Sequence, residues 1–423
     1  MASILNSQLK IFDEAVEDNS ITSVNYHPYP EENLQKGRTQ TRFNVIVKDT
    51  DSWVNFSRAY LQVKAKITTS AGADIANENI ALNGSGYCLF ERAELLCDNQ
   101  VIETVNHQHI GNLMLMLASS SEDYYKTTLS NTGLALESDT TFTSTGFVAR
   151  KAKAAGSNMM EFTLPLKHMF GFCNTDKITR GVRYEVVLTR NSHPDMIHQD
   201  NAATGDSEVH IDLCTLWCPT VQPSIQATQY LENKLNEGAE ARLQWMGRSV
   251  YRSPLFQGND TTPTWRITNN AVKPRHVFIG FQPSANQNNN ELSNQVFDHQ
   301  NLTEISLKVN SETVPREKIE LDYNAATKSV GRAYKLFQDY KNVFNNESDG
   351  SLVSEADWSS GLYNIYHFTL EHVDPNALYN GAADIEVRAR RTGNTAGYFF
   401  CVICSEKEAV ISGTSNQLRM EMM

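Results

Sequence analysis

The sequence predicts an all-β protein built from two similar units in tandem. Three observations carry that prediction. Apolar and polar residues alternate at period two in many short runs, Gly, Asn, Asp and Ser separate these runs, and helical spacing is confined to three places. Many short strands with few helices select sandwiches or barrels over an α/β enzyme. With 423 residues, 40% of them apolar, the chain holds material for two packed cores of about 200 residues each.

In chain order, the strand text begins with "FNVIVKD" and continues with "AYLQVKAKI", where Leu61, Val63, Ala65 and Ile67 face a core while Gln62, Lys64 and Lys66 face water. "GVRYEVVLTR", "EVHIDLCTLWC", "KPRHVFIGF", "EISLKVN" and "DIEVRARR" repeat the pattern. "AGYFFCVIC" does not alternate and is short, as expected of a strand buried on both faces. Helices are expected near 109–126, with Ile110, Leu113, Met114 and Leu117 on one stripe, near 226–238 and near 331–344. The second follows Pro219 and Pro223 and ends at Gly238, which marks a connector between domains.

Three pairs of segments recur across that connector in the same order. "AELLCDNQVIE" (93–103) resembles "ISLKVNSETVP" (305–315), "FTLPL" from Phe162 resembles "FTLEH" from Phe368, and "YEVVLTR" resembles "IEVRARR", each pair about 200 residues apart. The expected division is an N-terminal arm over 1–38, a first unit over 39–220, a helical connector over 221–238, a second unit over 239–413 and a tail over 414–423. In the second unit, "QPSANQNNNELSNQVFDHQN" is too long for an ordinary hairpin turn, and its asparagines suit left-handed backbone and exposed amide bonding.

No motif for catalysis emerges. Cys214 with Cys218 and Cys401 with Cys404 have metal-like spacings, but in strand text Cys401 and Cys404 point to opposite faces, and neither pair sits on the Gly-rich knuckle that zinc ribbons use. The seven cysteines read as buried thiols, and His107 with His109 lacks a third ligand nearby. "DTD" at 49–51 reads as a turn, "NGSG" at 83–86 precedes no helix that would cradle phosphate, and Arg150, Lys151 and Lys153 read as a solvated loop. Five glycosylation-type matches (Asn55, Asn83, Asn259, Asn301, Asn346) read as chance in an Asn-rich chain. A net charge of −12 disfavours coating nucleic acid or anionic lipid. No apolar run approaches the roughly 20 residues of a membrane helix, and the first residues lack a signal-peptide pattern, so the chain is expected to be made inside the cell without secretion.

The residues quoted above, with "CLFERAELLCDNQVIE", "HQHIGNLMLMLASSSEDYYKTTLSNTGL", "CPTVQPSIQATQYLENKLNEGAEARLQW" and "WSSGLYNIYHFTLE", resemble the double jelly-roll major capsid proteins of the adintovirus and Polinton type over about residues 41–412. The resemblance implies two tandem eight-stranded jelly rolls with a few short helices, their strands perpendicular to a shell. It implies a homotrimer forming a pseudo-hexagonal capsomer of an icosahedral virion that encloses a DNA genome. Penton and minor capsid proteins are the further partners it implies, with no sequence-specific nucleic acid; it leaves membrane contact unspecified. Assembly would take place inside the host cell, in nucleus or cytoplasm. It implies no enzymatic activity and no cofactor. The Asn-rich loop is then an inter-subunit contact through Asn286, Asn290, Asn294, Phe297, Asp298 and His299, and the acidic N-terminal segment an arm reaching a neighbouring capsomer. The alternative is a tandem jelly-roll carbohydrate-binding protein or glycan-processing enzyme, although Trp53, Trp217, Trp245, Trp265 and Trp358 are scattered singly rather than grouped on a groove.

Overall fold

A computed structural model describes residues 20–32, 40–45, 52–75, 79–154, 159–200, 207–324, 326–344, 350–370, 382–414 and 417–422. The first eight principal strands are β1 (Ile21–Pro30), β2 (Gln40–Val45), β3 (Tyr60–Thr69), β4 (Phe90–Cys97), β5 (Gln100–Val105), β6 (Met160–Pro165), β7 (Tyr184–Arg190) and β8 (Ser207–Pro223). They form two antiparallel sheets of order β1-β8-β3-β6 and β2-β7-β4-β5. The next eight are β9 (Ala241–Arg252), β10 (Thr264–Ala271), β11 (Pro274–Pro283), β12 (Leu302–Val309), β13 (Glu312–Glu320), β14 (Ile365–Thr369), β15 (Ala383–Arg391) and β16 (Gly397–Thr414). Their sheets run β9-β16-β11-β14 and β10-β15-β12-β13. The two orders are identical strand for strand, and each is the order of a jelly roll. Among the described residues, four helices of ten residues or more accompany them: α1 (Gln108–Ser119), α2 (Thr145–Ala154), α3 (Ile225–Asn236) and α4 (Gly331–Phe344).

Alternation sets each strand's faces. In β3, Leu61, Val63, Ala65 and Ile67 are fully buried, whereas Gln62, Lys64 and Lys66 stay half-exposed. In β16, Phe399, Phe400, Cys401, Val402, Ile403 and Cys404 are all buried, because β9 and β11 flank the strand and α1 packs against it. The three collinear repeats fall on equivalent strands: the β4–β5 and β12–β13 hairpins, β6 and β14, β7 and β15. In both hairpins the turn uses left-handed backbone, at Asp98 and Asn99 and at Asn310.

Several sequence expectations need correction. Within the expected arm, Ile21–Pro30 is the first strand of the first roll and pairs with β8 from Pro30↔Thr215 to Ile21↔Pro223. Pro28 and Pro30 are tolerated because β1 is an edge strand. Residues 1–19 and 33–38 of that arm lie outside the described residues, as do 49 to 51 and Asn346. The first roll continues to Pro223, so the connector reduces to α3. Within the expected tail, Gln417–Met422 pairs antiparallel with β16. The basic cluster belongs to α2 rather than a loop, and Arg150 points inward at 3% exposure.

Candidate functional site

The Asn-rich segment folds on itself before it touches anything else. A 3-10 turn at Ser284–Asn286 starts it, Asn286 Nδ2 donates to the Ser293 carbonyl (2.9 Å), and Asn289 Nδ2 donates to that of Ala285 (2.9 Å). Asn288, Gln300 and Asn301 adopt positive φ, which Asn tolerates better than most residues. Phe297 anchors the far end; it is fully buried, and a Cβ on Gly280 would lie 2.6 Å from its ring. Glycine at 280 therefore admits the phenyl group.

The loop's outward bonds go to the first roll of the same chain. Asn83 Oδ1 accepts from the Asn294 amide (2.8 Å), while Asn83 Nδ2 donates to the Leu292 carbonyl (3.1 Å). The Asp195 carboxylate accepts from the Asn288 amide (2.7 Å) and from Asn294 Nδ2 (3.3 Å). The Gln199 amide donates to the Asn290 carbonyl (2.7 Å). Asn286, Asn294 and Phe297 are buried within their own chain. Within the chain this loop forms an intramolecular clamp; an inter-subunit contact through Asn286, Asn290, Asn294, Phe297, Asp298 and His299 belongs to the assembly proposed below. Asn83, buried at 2% exposure, is a clamp residue.

Asp298 and His299 lie elsewhere on the loop, half-buried around a solvent-open hollow of about 480 Å³ that Asn286, Asn301, Gly361 and Thr395 also line. Asp298 accepts from the Gln300 amide (2.7 Å) and side chain (2.8 Å), and His299 stacks on Tyr323 with centroids 4.2 Å apart. His299 Nδ1 accepts from the Asn301 amide (2.9 Å), which requires an unprotonated nitrogen there. Burial correspondingly holds its pKa below the ordinary value, against the opposing pull of Asp298. These groups are engaged in fixing backbone, and none is poised as a nucleophile beside a base.

A second set of contacts joins the rolls along β5. Glu103, 1% exposed, accepts from the Arg248 amide of β9 (2.7 Å) and from the Phe172 amide (3.1 Å). Trp245 meets Phe172 edge to face at 5.2 Å, and Lys407 Nζ donates to the Ile102 carbonyl (3.4 Å). Backbones approach closely at Gly171, where a Cβ would lie 1.8 Å from the Met246 carbonyl oxygen. Farther along, Tyr363 of the second roll bonds the Glu137 main chain, and the Glu137 carboxylate receives Arg150 in a buried ion pair. Arg150 also donates to the carbonyls of Leu82 (2.9 Å) and Ala135 (2.8 Å). Apart from Phe147, Arg150 and Ala154 recurring at helical spacing, no local signal marks these seam residues.

All seven cysteines are buried free thiols, and burial raises Cys88 and Cys404 to about 12. Among the described residues, no three His, Cys, Asp or Glu side chains converge as a metal site. Trp53, Trp245, Trp265 and Trp358 are buried, and Trp217 is half-exposed; they form no shared groove.

Two jelly rolls of identical strand order, fixed together by a polar clamp and a buried carboxylate, find a direct counterpart in a family model. Residues 118–368 match the double jelly roll-like domain. The chain belongs to the double jelly roll-like domain family. No curated protein matches it in sequence. Among solved structures, this double jelly roll is similar to a chain of the Sputnik virophage at a TM-score of 0.59 and 10% identity, over 100% of this chain and 93% of that one. It is also similar to a chain of the PBCV-1 virus capsid (TM-score 0.55, 10% identity, 97% and 98% covered) and to the Faustovirus major capsid protein (TM-score 0.55, 7% identity, 94% and 92% covered). At such identities the likeness is one of fold.

Proposed function

We propose that this double jelly roll is a major capsid protein that trimerises into pseudo-hexagonal capsomers of an icosahedral shell around a DNA genome. The supporting observation is that the same two-roll architecture spans nearly the whole of this chain and nearly the whole of the viral capsid chains it resembles. The polar loop groups described above serve backbone fixation. The chain is read as structural rather than enzymatic, a component of the virion with itself as first partner. Penton and minor proteins would complete the shell, and the sequence patterns favour the adintovirus and Polinton type within this fold.

Burial of four of the five tryptophans weighs against a glycan groove. Light scattering of the purified chain on a sizing column, with negative-stain imaging of the same peak, tests the proposal. A mass of three chains with hexagonal outlines is expected. A monomer that binds glycans on an array would overturn it.

A further inference from the structure

His109, in the first turn of α1, and Asn294, in the Asn-rich loop, line one small hollow beside the clamp. The hollow measures about 10 Å³, about the room that one water needs. Asn83, Ser85 and Cys88 of the first roll and Gln295 of the second help to wall it, and all four are buried. Among the described residues, no Asp, Glu, Lys or Arg lines it.

Most polar groups around this hollow are already engaged. The Asn294 amide donates to Asn83 Oδ1 (2.8 Å), its carbonyl accepts from Gln282 Nε2 (2.8 Å), and its Nδ2 donates to the carbonyl and a carboxylate oxygen of Asp195 (3.4 and 3.3 Å). Those two acceptors decide which end of the side-chain amide is nitrogen, because an oxygen in its place would face two oxygens. Oδ1 is thereby left as a buried acceptor with no donor among the described residues. His109 Nδ1 is likewise buried and without a partner among them. Burial, then His107, lowers that imidazole to about 4, so it is uncharged at neutral pH. The Cys88 thiol donates to the Met196 carbonyl (3.8 Å), and burial raises it to about 12, so it is uncharged too. A bare polar atom in the interior costs free energy, and two of them on the wall of one hollow share a remedy.

We infer that the hollow holds one structural water, which donates a hydrogen bond to Asn294 Oδ1 and bonds His109 Nδ1, tying α1 of the first roll to the loop of the second. Neutral imidazole presents Nδ1 as either donor or acceptor according to its tautomer, and water answers both. A metal cation would find no carboxylate on this wall, and an anion no basic group. Two polar partners meet the lower end of what a buried water needs. The site lies within a single chain, so it stands apart from the assembly reading and adds a bridged link to the direct bonds of Asn83 and Asp195.

The test uses the full wild-type chain, imaged by crystallography or cryo-electron microscopy at a resolution that shows ordered water. A single peak about 2.7–3.2 Å from both His109 Nδ1 and Asn294 Oδ1 is expected. An empty hollow, a direct bond between the two side chains, or a peak with the short, multiple contacts of a metal ion would overturn the site. In solution, oxygen-17 relaxation dispersion counts long-lived waters. His109→Phe keeps a ring but removes both nitrogens, so its count should fall by one relative to the wild type, and an unchanged count contradicts the bridge. Should His109→Phe fail to fold, the wild-type density decides alone.

Discussion

Glu103 shows how much one buried side chain can decide. Its two oxygens accept one amide from each roll, so replacing it removes an acceptor from the buried Phe172 amide and the part-buried Arg248 amide. Glu103→Gln keeps the size but turns an NH2 group toward one of those N–H donors. A loss of about 1–3 kcal/mol in urea unfolding is expected, with full recovery only for the wild-type carboxylate. Asn83→Ala strands the buried Asn294 amide in the same manner, and about 1–3 kcal/mol should be lost there as well. Limited proteolysis separates the two variants: cleavage within 284–295 should accelerate for Asn83→Ala and stay unchanged for Glu103→Gln. Glu103 did not stand out in the sequence, and Asn83 drew notice only in an Asn-Gly pair and a chance glycosylation-type match. A lone Glu in a strand and an Asn before Gly acquire meaning only from partners some 150 to 210 positions away.

At the scale of elements, α1 and its neighbours carry histidines into the seam. His107, at the start of α1, packs edge to face on Phe400 of the second roll; burial, then Arg252, lowers it to about 4. His109 is lowered to about 4 by burial and then by His107, and His168, whose carbonyl receives Arg248, falls to about 3 by burial and then by Arg248. A histidine with a depressed folded-state pKa binds its proton first in the unfolded chain. Its stabilising contribution is therefore complete above pH 6.5 and lost as pH falls from 6.5 toward 4. Each such group gives up of order 1 kcal/mol per pH unit in that window. Melting temperature should drop between pH 6.5 and 4.5, and the drop should shrink in His168→Gln; a flat profile would refute the coupling. The Asn-rich loop is the other instructive element. Its length and amide content were legible as a contact-making segment, but local pattern cannot say whether the contact lies within the chain or beyond it.

For the whole molecule, the N-terminal segment separates two roles that the sequence merged. Deleting residues 2–30 removes β1 and uncovers the long edge of β8; loss of trimers is expected by light scattering. Deleting residues 2–19 leaves every described strand intact, so trimers should persist, and a reduced yield of closed shells in negative stain would support an arm within that segment. Intact shells from the shorter deletion would remove the arm from the proposal.

The sequence by itself determined the all-β class, the inward faces of strands such as β3 and the duplicated order of hairpin, return strand and final strand. Side-chain alternation and turn residues are set by neighbours a few positions away, and those are written in the text. Only the tertiary structure decided that "ITSVNYHPYP" is an edge strand, that Arg150 leaves a basic run to pair with Glu137, and that Asn294 reaches Asn83. Each of those outcomes depends on desolvation and hydrogen bonding between distant segments, energies that exist only once the two rolls have come together.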